Sequence, residues 1–148
     1  MTNGAADRHR RPTLTWVLFG LLVLQALGGI AGGAALAIKP NGDLLKMPPS
    51  YIEGSPFHDY RVPGLILLLV LGVFPLVMAI GLLQRRPWAW FGAFAVGCGL
   101  IIFELVEYGV IGYNAQQPVW GSIGALIALV SLAPSVQREC GLRWGRRI

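Results

Sequence analysis

Residues Val62 to Leu83 read VPGLILLLVLGVFPLVMAIGLL, an apolar run without one charged or amide side chain. A helix rises about 1.5 Å per residue, so roughly 20 residues cross the ~30 Å hydrocarbon layer of a bilayer, and this run is long enough. It lacks the period-two alternation of a barrel strand, and hydrocarbon offers no water to the backbone groups an open strand would expose. The run is therefore read as a transmembrane helix.

Comparable blocks lie on either side of it. Leu14 to Ile38 and Trp88 to Gly112 are as long, and Val119 to Val136 is shorter but still within spanning range. Four spans, about 14–38, 62–83, 88–112 and 119–136, account for most of a 148-residue chain that is 55% hydrophobic and only 13% charged. A soluble domain would carry about a quarter charged residues. The expected fold is all-α: a single four-helix membrane bundle with an outer loop at 39–61 and tails at 1–13 and 137–148. No length remains for a separate soluble catalytic domain.

The 12 Lys and Arg residues set the expected orientation. Arg8, Arg10, Arg11, Arg85, Arg86, Arg138, Arg143, Arg146 and Arg147 fall on one side of the four spans; Lys39, Lys46 and Arg61 fall on the other. Nine against three places both termini in the cytoplasm of a bacterial plasma membrane. Trp16, Trp88, Trp90, Trp120 and Trp144 stand near block ends, at headgroup level. The net charge of +5 marks topology rather than a nucleic-acid-binding face, and the Arg- and Trp-bearing tail suits anionic headgroups. Arg residues before an apolar stretch ending in Ala35-Leu36-Ala37 outline a secretory signal, but the stretch exceeds the usual 7–15 residues of a signal core, so it is read as a retained span.

Small residues supply the expected helix contacts, because lipid gives apolar helices no hydrophobic reason to associate. Gly28, Gly29, Gly32 and Gly33 form overlapping G-x-x-x-G patterns in the first span. Gly121, Gly124, Ala125 and Ala128 offer a matching face on the fourth, so these two spans are expected to pack together, with a homodimer contact as the alternative. Pro75 lies mid-way along the second span and is expected to bend it.

Glu104 and Glu107 carry most of the functional information. A carboxylate within an apolar span costs on the order of 3 kcal/mol on insertion scales. Three residues apart on a helix, the two share a face, which Tyr108 extends. Gln25 adds a polar group near the middle of the first span, and a protonated Glu104 packed within the bundle would hydrogen-bond to it or to a loop. The outer loop is expected to fold over this face, with Ser55 capping a short helix that starts at Pro56. That helix would carry His58, Asp59 and Arg61 to the outer mouth, Arg61 pairing with Glu107 or Asp59. One histidine without ligand spacing does not make a metal site, and no metal or cofactor is expected. Cys98 and Cys140 are too far apart in the expected topology for a disulfide, and no paired-cysteine motif is present.

Pro40-Asn41-Gly42-Asp43, Ser55-Pro56-Phe57-His58-Asp59-Tyr60 leading into Val62-Pro63-Gly64-Leu65, Glu107 late in the third span, and Gln117-Pro118 before the fourth together resemble a group of small four-span bacterial inner-membrane proteins of high-GC, actinobacterial type. The resemblance covers nearly the whole chain and implies a four-helix architecture in the inner membrane, with no activity attached. No Ser-His-Asp set or cofactor fingerprint assigns catalytic roles. The expected function is binding of a membrane lipid or a partner protein through the outer loop and the Glu104/Glu107 face. The alternative is a small proton-coupled carrier or exchanger with Glu104 as its titrating group.

Overall fold

The computed structural model describes residues 11–141, and these are entirely helical apart from turns and connecting segments. Arg8, Arg10, Arg143, Trp144, Arg146 and Arg147, on which part of the orientation argument rests, lie outside the described residues. Helix α1 spans Thr13–Ile38. Helix α2 covers Arg61–Leu83 and α3 Ala89–Ile111. These three are long and apolar enough to cross a membrane; α4, Gln117–Ser131, is apolar but shorter, and α5 is a single segment at Pro134–Glu139.

The fourth apolar block is thus divided. Pro134 has no N–H to continue the ladder, and its ring pushes Ala133 into an extended conformation, ψ 130°. The chain turns at Leu132 and resumes as α5, with Pro134 in its first turn. Ser131 ends α4 by donating its hydroxyl to the Ala128 carbonyl at 2.7 Å.

Helix α2 passes through Pro75 without stopping. Its accommodation is a π-helical segment, Leu69–Val73, in which the Phe74 N–H reaches back five residues to the Leu69 carbonyl. At the far end, Arg85 takes the left-handed conformation, φ 55°, while Arg86 N–H bonds the Gly81 carbonyl and Arg85 N–H the Leu82 carbonyl. This is a Schellman stop, with Pro87 following.

Helix packing departs from the expected pairing of the first and fourth spans. The principal neighbours are α1 with α2 and α3 with α4, and α1 touches α4 over a smaller area. The α1 glycines explain this. A Cβ on Gly29 would overlap the Leu71 carbonyl, and one on Gly33 the backbone of Leu68 and Gly64. On α4, Gly124 and Ala128 abut Gly97 of α3, whereas Gly121 faces open space. Only Gly28 looks toward α4, where it makes room for the Trp120 ring.

The interior has two unlike halves. Toward the end that carries residue 11, the 83–88 turn and α5, a closed core joins Leu18, Leu22, Ala79, Leu82, Ala93, Ile127 and Val136. Toward the end that carries the loop, small α1 residues leave the interior unfilled. The outside is apolar: Leu27, Leu69, Ile102, Leu105, Val106 and Leu129 are each more than half exposed. Exposed apolar side chains of this density suit contact with hydrocarbon rather than water.

Candidate functional site

The unfilled half forms a cavity of about 400 Å³, bounded by α1, α2, α3, the start of α4 and the loop. Glu104 and Glu107 line it from α3, within electrostatic reach of each other. Gln25, Gly28, Gly29 and Gly32 line it from α1, and Leu67 and Leu71 from α2. Leu45, Lys46, Met47 and Tyr51 of the loop form the roof.

Gln25 is buried, 3% exposed, and the reason traces to Pro75. In a regular helix the Leu71 carbonyl would accept from the N–H of residue 75, which proline lacks. Gln25 Nε2 supplies a donor across the helix interface, at 3.1 Å. A carbonyl can only accept, so this bond fixes which way the amide faces. The Oε1 atom is left buried and without a hydrogen-bond partner in a residue that lines the cavity. Leaving an acceptor in that state costs about 1–3 kcal/mol. The expected bond between Gln25 and Glu104 is not made: Gln25 Nε2 donates to Leu71, and among the described residues no hydrogen bond to Glu104 is formed.

The α3–α4 connection positions Glu107. Helix α3 ends on Gly112, φ 77°, and the buried Gln117 then stitches the turn by donating to the Gly112 carbonyl at 3.0 Å and accepting from Asn114 N–H at 3.1 Å. The Gln117 side chain also adjoins Glu107.

The loop is held down by Tyr60. Its ring is 3% exposed, its N–H donates to the Pro40 carbonyl at 2.9 Å, and its hydroxyl donates to the Pro48 carbonyl at 2.7 Å. Burial, followed by the nearby Tyr51, pushes the Tyr60 phenol above its ordinary range, so it stays a donor. Gly42, φ 82°, allows the turn that brings Met47 N–H onto the Gly42 carbonyl. The loop helices are two short 3-10 turns, Asp43–Leu45 and Pro49–Ile52, rather than a helix from Pro56. Ser55 Oγ does accept from Phe57 N–H, but no helix follows until Arg61, whose N–H bonds Asp59 Oδ1 at 2.9 Å.

Of the residues singled out from sequence, the fold gathers Gln25, Glu104, Glu107, Gly28, Gly29 and Gly32 about one cavity. It does not bring His58, Asp59, Arg61 or Tyr108 there. Tyr108 is 57% exposed on the outer side of α3. His58 and Arg61 are exposed, and Arg61 pairs with neither Glu107 nor Asp59 through its side chain; among the described residues the ion pairs are those of Glu139 with Arg11 and Arg85. No group of three or more His, Cys, Asp and Glu side chains converges among the described residues.

Sequence reasoning missed Lys46, Tyr51 and Trp120 as cavity residues, and missed Glu139. The signal for Gln25 was Pro75, which strips a donor from one turn of α2. The signal for Glu139 was its standing as the one acidic residue in a basic tail.

The fold and cavity describe an all-helical protein with three helices able to cross a membrane and an acidic pocket between them. No family model, curated protein or solved structure matches this chain.

Proposed function

We propose that this chain is a four-span integral protein of the bacterial plasma membrane, with both termini cytoplasmic, which binds a lipid or similar amphipathic molecule beneath its outer loop. The convergence of Arg11, Arg85 and Glu139 supports the crossing count: residues from before α1, after α2 and after α4 meet at one end. The distribution of Lys and Arg supports the orientation. The single observation carrying the binding function is the cavity: about 400 Å³ of space lined by two carboxylates, by Gln25 with its unpartnered amide oxygen, and mostly by apolar side chains. Such a pocket, apolar with a few convergent polar groups, suits a small molecule or part of a lipid better than a protein surface.

Native mass spectrometry of protein extracted gently from its own membrane tests this. The wild type should retain a bound amphipathic molecule. Gly32→Leu, where the nearest obstacle to a Cβ is the Leu67 side chain at 3.3 Å, should lose it by filling the cavity from α1. Ile111→Trp, filling from α3 at a half-buried position, should also lose it. A bare wild type, or variants retaining the molecule as well as the wild type does, would overturn the reading. The carrier alternative requires the closed half around Leu18, Leu22 and Ile127 to open, and predicts proton-coupled flux in liposomes that Glu104→Gln abolishes.

A further inference from the structure

Resting on the binding reading above, we infer that the molecule taken up is an amphipathic amine: a cationic head with N–H donors on an apolar body. The charged groups lining the cavity are Glu104, Glu107 and Lys46, two carboxylates against one ammonium. Lys46 lies on the exposed roof and forms no ion pair with either glutamate. The carboxylates therefore have no cation of the chain's own seated between them. The lining also carries the amides of Gln25, Asn114 and Gln116; of these Gln25 has a buried oxygen, Oε1, without a hydrogen-bond partner, its orientation fixed by the bond from Nε2 to the Leu71 carbonyl.

A protonated primary amine brings up to three N–H donors on one centre and one positive charge, which suits two carboxylates in sign and leaves a donor for an amide oxygen of the lining. A carboxylate or phosphate head would meet two like charges on α3, opposed by one ammonium on the exposed roof. A hydroxyl could satisfy one acceptor and neutralise nothing. The rest of the lining suits the apolar body. Leu67, Leu71 and Leu100 form aliphatic walls, and Phe103 and Trp120 add aromatic rings, whose faces attract cations. The Trp120 ring is seated in the space left by Gly28, so its position is set by the α1–α4 contact.

Three compounds of one skeleton test the inference: phenylbutylamine, phenylbutanol and phenylbutyrate, which differ in the charge and donor capacity of the head. Binding to the full chain in detergent is followed by isothermal titration, with Ile111→Trp as the cavity-filled control for uptake into micelles. The amine should bind at least about ten-fold more tightly than the alcohol, the gain of a charge-assisted hydrogen bond, and the carboxylate should not bind above the control. Combining Glu104→Gln with Glu107→Gln should erase the preference for the amine while the alcohol still binds. Lys46→Glu, at an exposed position that leaves folding alone, should raise amine affinity several-fold. Equal binding of amine and alcohol by the wild type, or no gain from Lys46→Glu, would overturn the amine assignment and leave a binding cavity of other specificity. Absence of binding above control for all three compounds would overturn the cavity reading together with it.

Discussion

Glu139 shows how much a single side chain can hold in a chain with few charges. Its carboxylate accepts from the Thr15 hydroxyl at 2.6 Å and lies 3.6 Å from both Arg11 Nε and Arg85 Nε, and its own side chain is 8% exposed. Arg11 also donates to the Leu83 carbonyl at 2.7 Å and lies over the Trp16 ring. One acidic group thus ties the start of α1, the α2–α3 turn and α5 together. Glu139→Gln keeps an acceptor for Thr15 but removes the charge facing two guanidinium groups, one of them half exposed and so partly screened. The expected loss is about 1–3 kcal/mol, read as a lower midpoint in thermal unfolding of the detergent-solubilised protein. Arg138→Ala, at an exposed residue outside this cluster, should shift the midpoint little. Gln25 is the corresponding residue in the other half. Gln25→Leu leaves the Leu71 carbonyl without its cross-helix donor but also removes the unpartnered Oε1, so the expected loss in the same measurement is smaller, about 1 kcal/mol.

Between elements, that cost depends on Pro75, because the orphaned carbonyl and the proline are four residues apart in one helix. Pro75→Ala restores an N–H at position 75, which reaches the Leu71 carbonyl once the π-helical stretch returns to the α-helical register. In the Pro75→Ala background, Gln25→Leu should therefore destabilise by less than half as much as in the wild type, a coupling that a double-mutant cycle measures directly. The glycines divide in the same way. Gly29→Ala and Gly33→Ala force α1 away from the α2 backbone and should each cost on the order of 1–3 kcal/mol, with loss of folded protein after extraction. Gly20→Ala and Gly121→Ala, where an added Cβ meets open space, should be neutral or slightly stabilising through helix propensity. A G-x-x-x-G pattern identifies a face that can be approached closely; here each residue's role depends on what approaches it.

At the scale of the whole molecule, a tightly packed half and a hollow half are joined by the same four helices. The packed half is closed by Leu18, Leu22, Leu82, Ile127 and Val136, all at most 1% exposed, while the hollow half has a polypeptide roof pinned by Tyr60. The proposed topology makes a direct prediction. Single cysteines introduced at Ser50 and Gln84, in a Cys98→Ala and Cys140→Ala background, should react with a membrane-impermeant maleimide from opposite sides: Ser50→Cys in intact cells, Gln84→Cys only after the membrane is opened. Labelling of both from one side would refute a loop and an α2–α3 turn at opposite faces.

The run from Val62 to Leu83, its counterparts on either side and the placement of Lys and Arg were sufficient to establish helical, membrane-compatible segments, because hydrocarbon imposes a length and a polarity that can be counted along a chain. The cost of Glu104 and Glu107 in such a segment was legible for the same reason, and so was the N–H that Pro75 lacks. What the chain alone left open was which neighbour each face would meet. Gly29 and Gly33 seat α2 rather than α4, Arg61 stays out of the pocket that Lys46 and Tyr51 cover, and Pro134 ends a helix that apolar composition would have continued. Those outcomes depend on close contacts between segments distant in sequence, where a single Cβ or a missing N–H decides the fit, and only the assembled tertiary structure brings those atoms together.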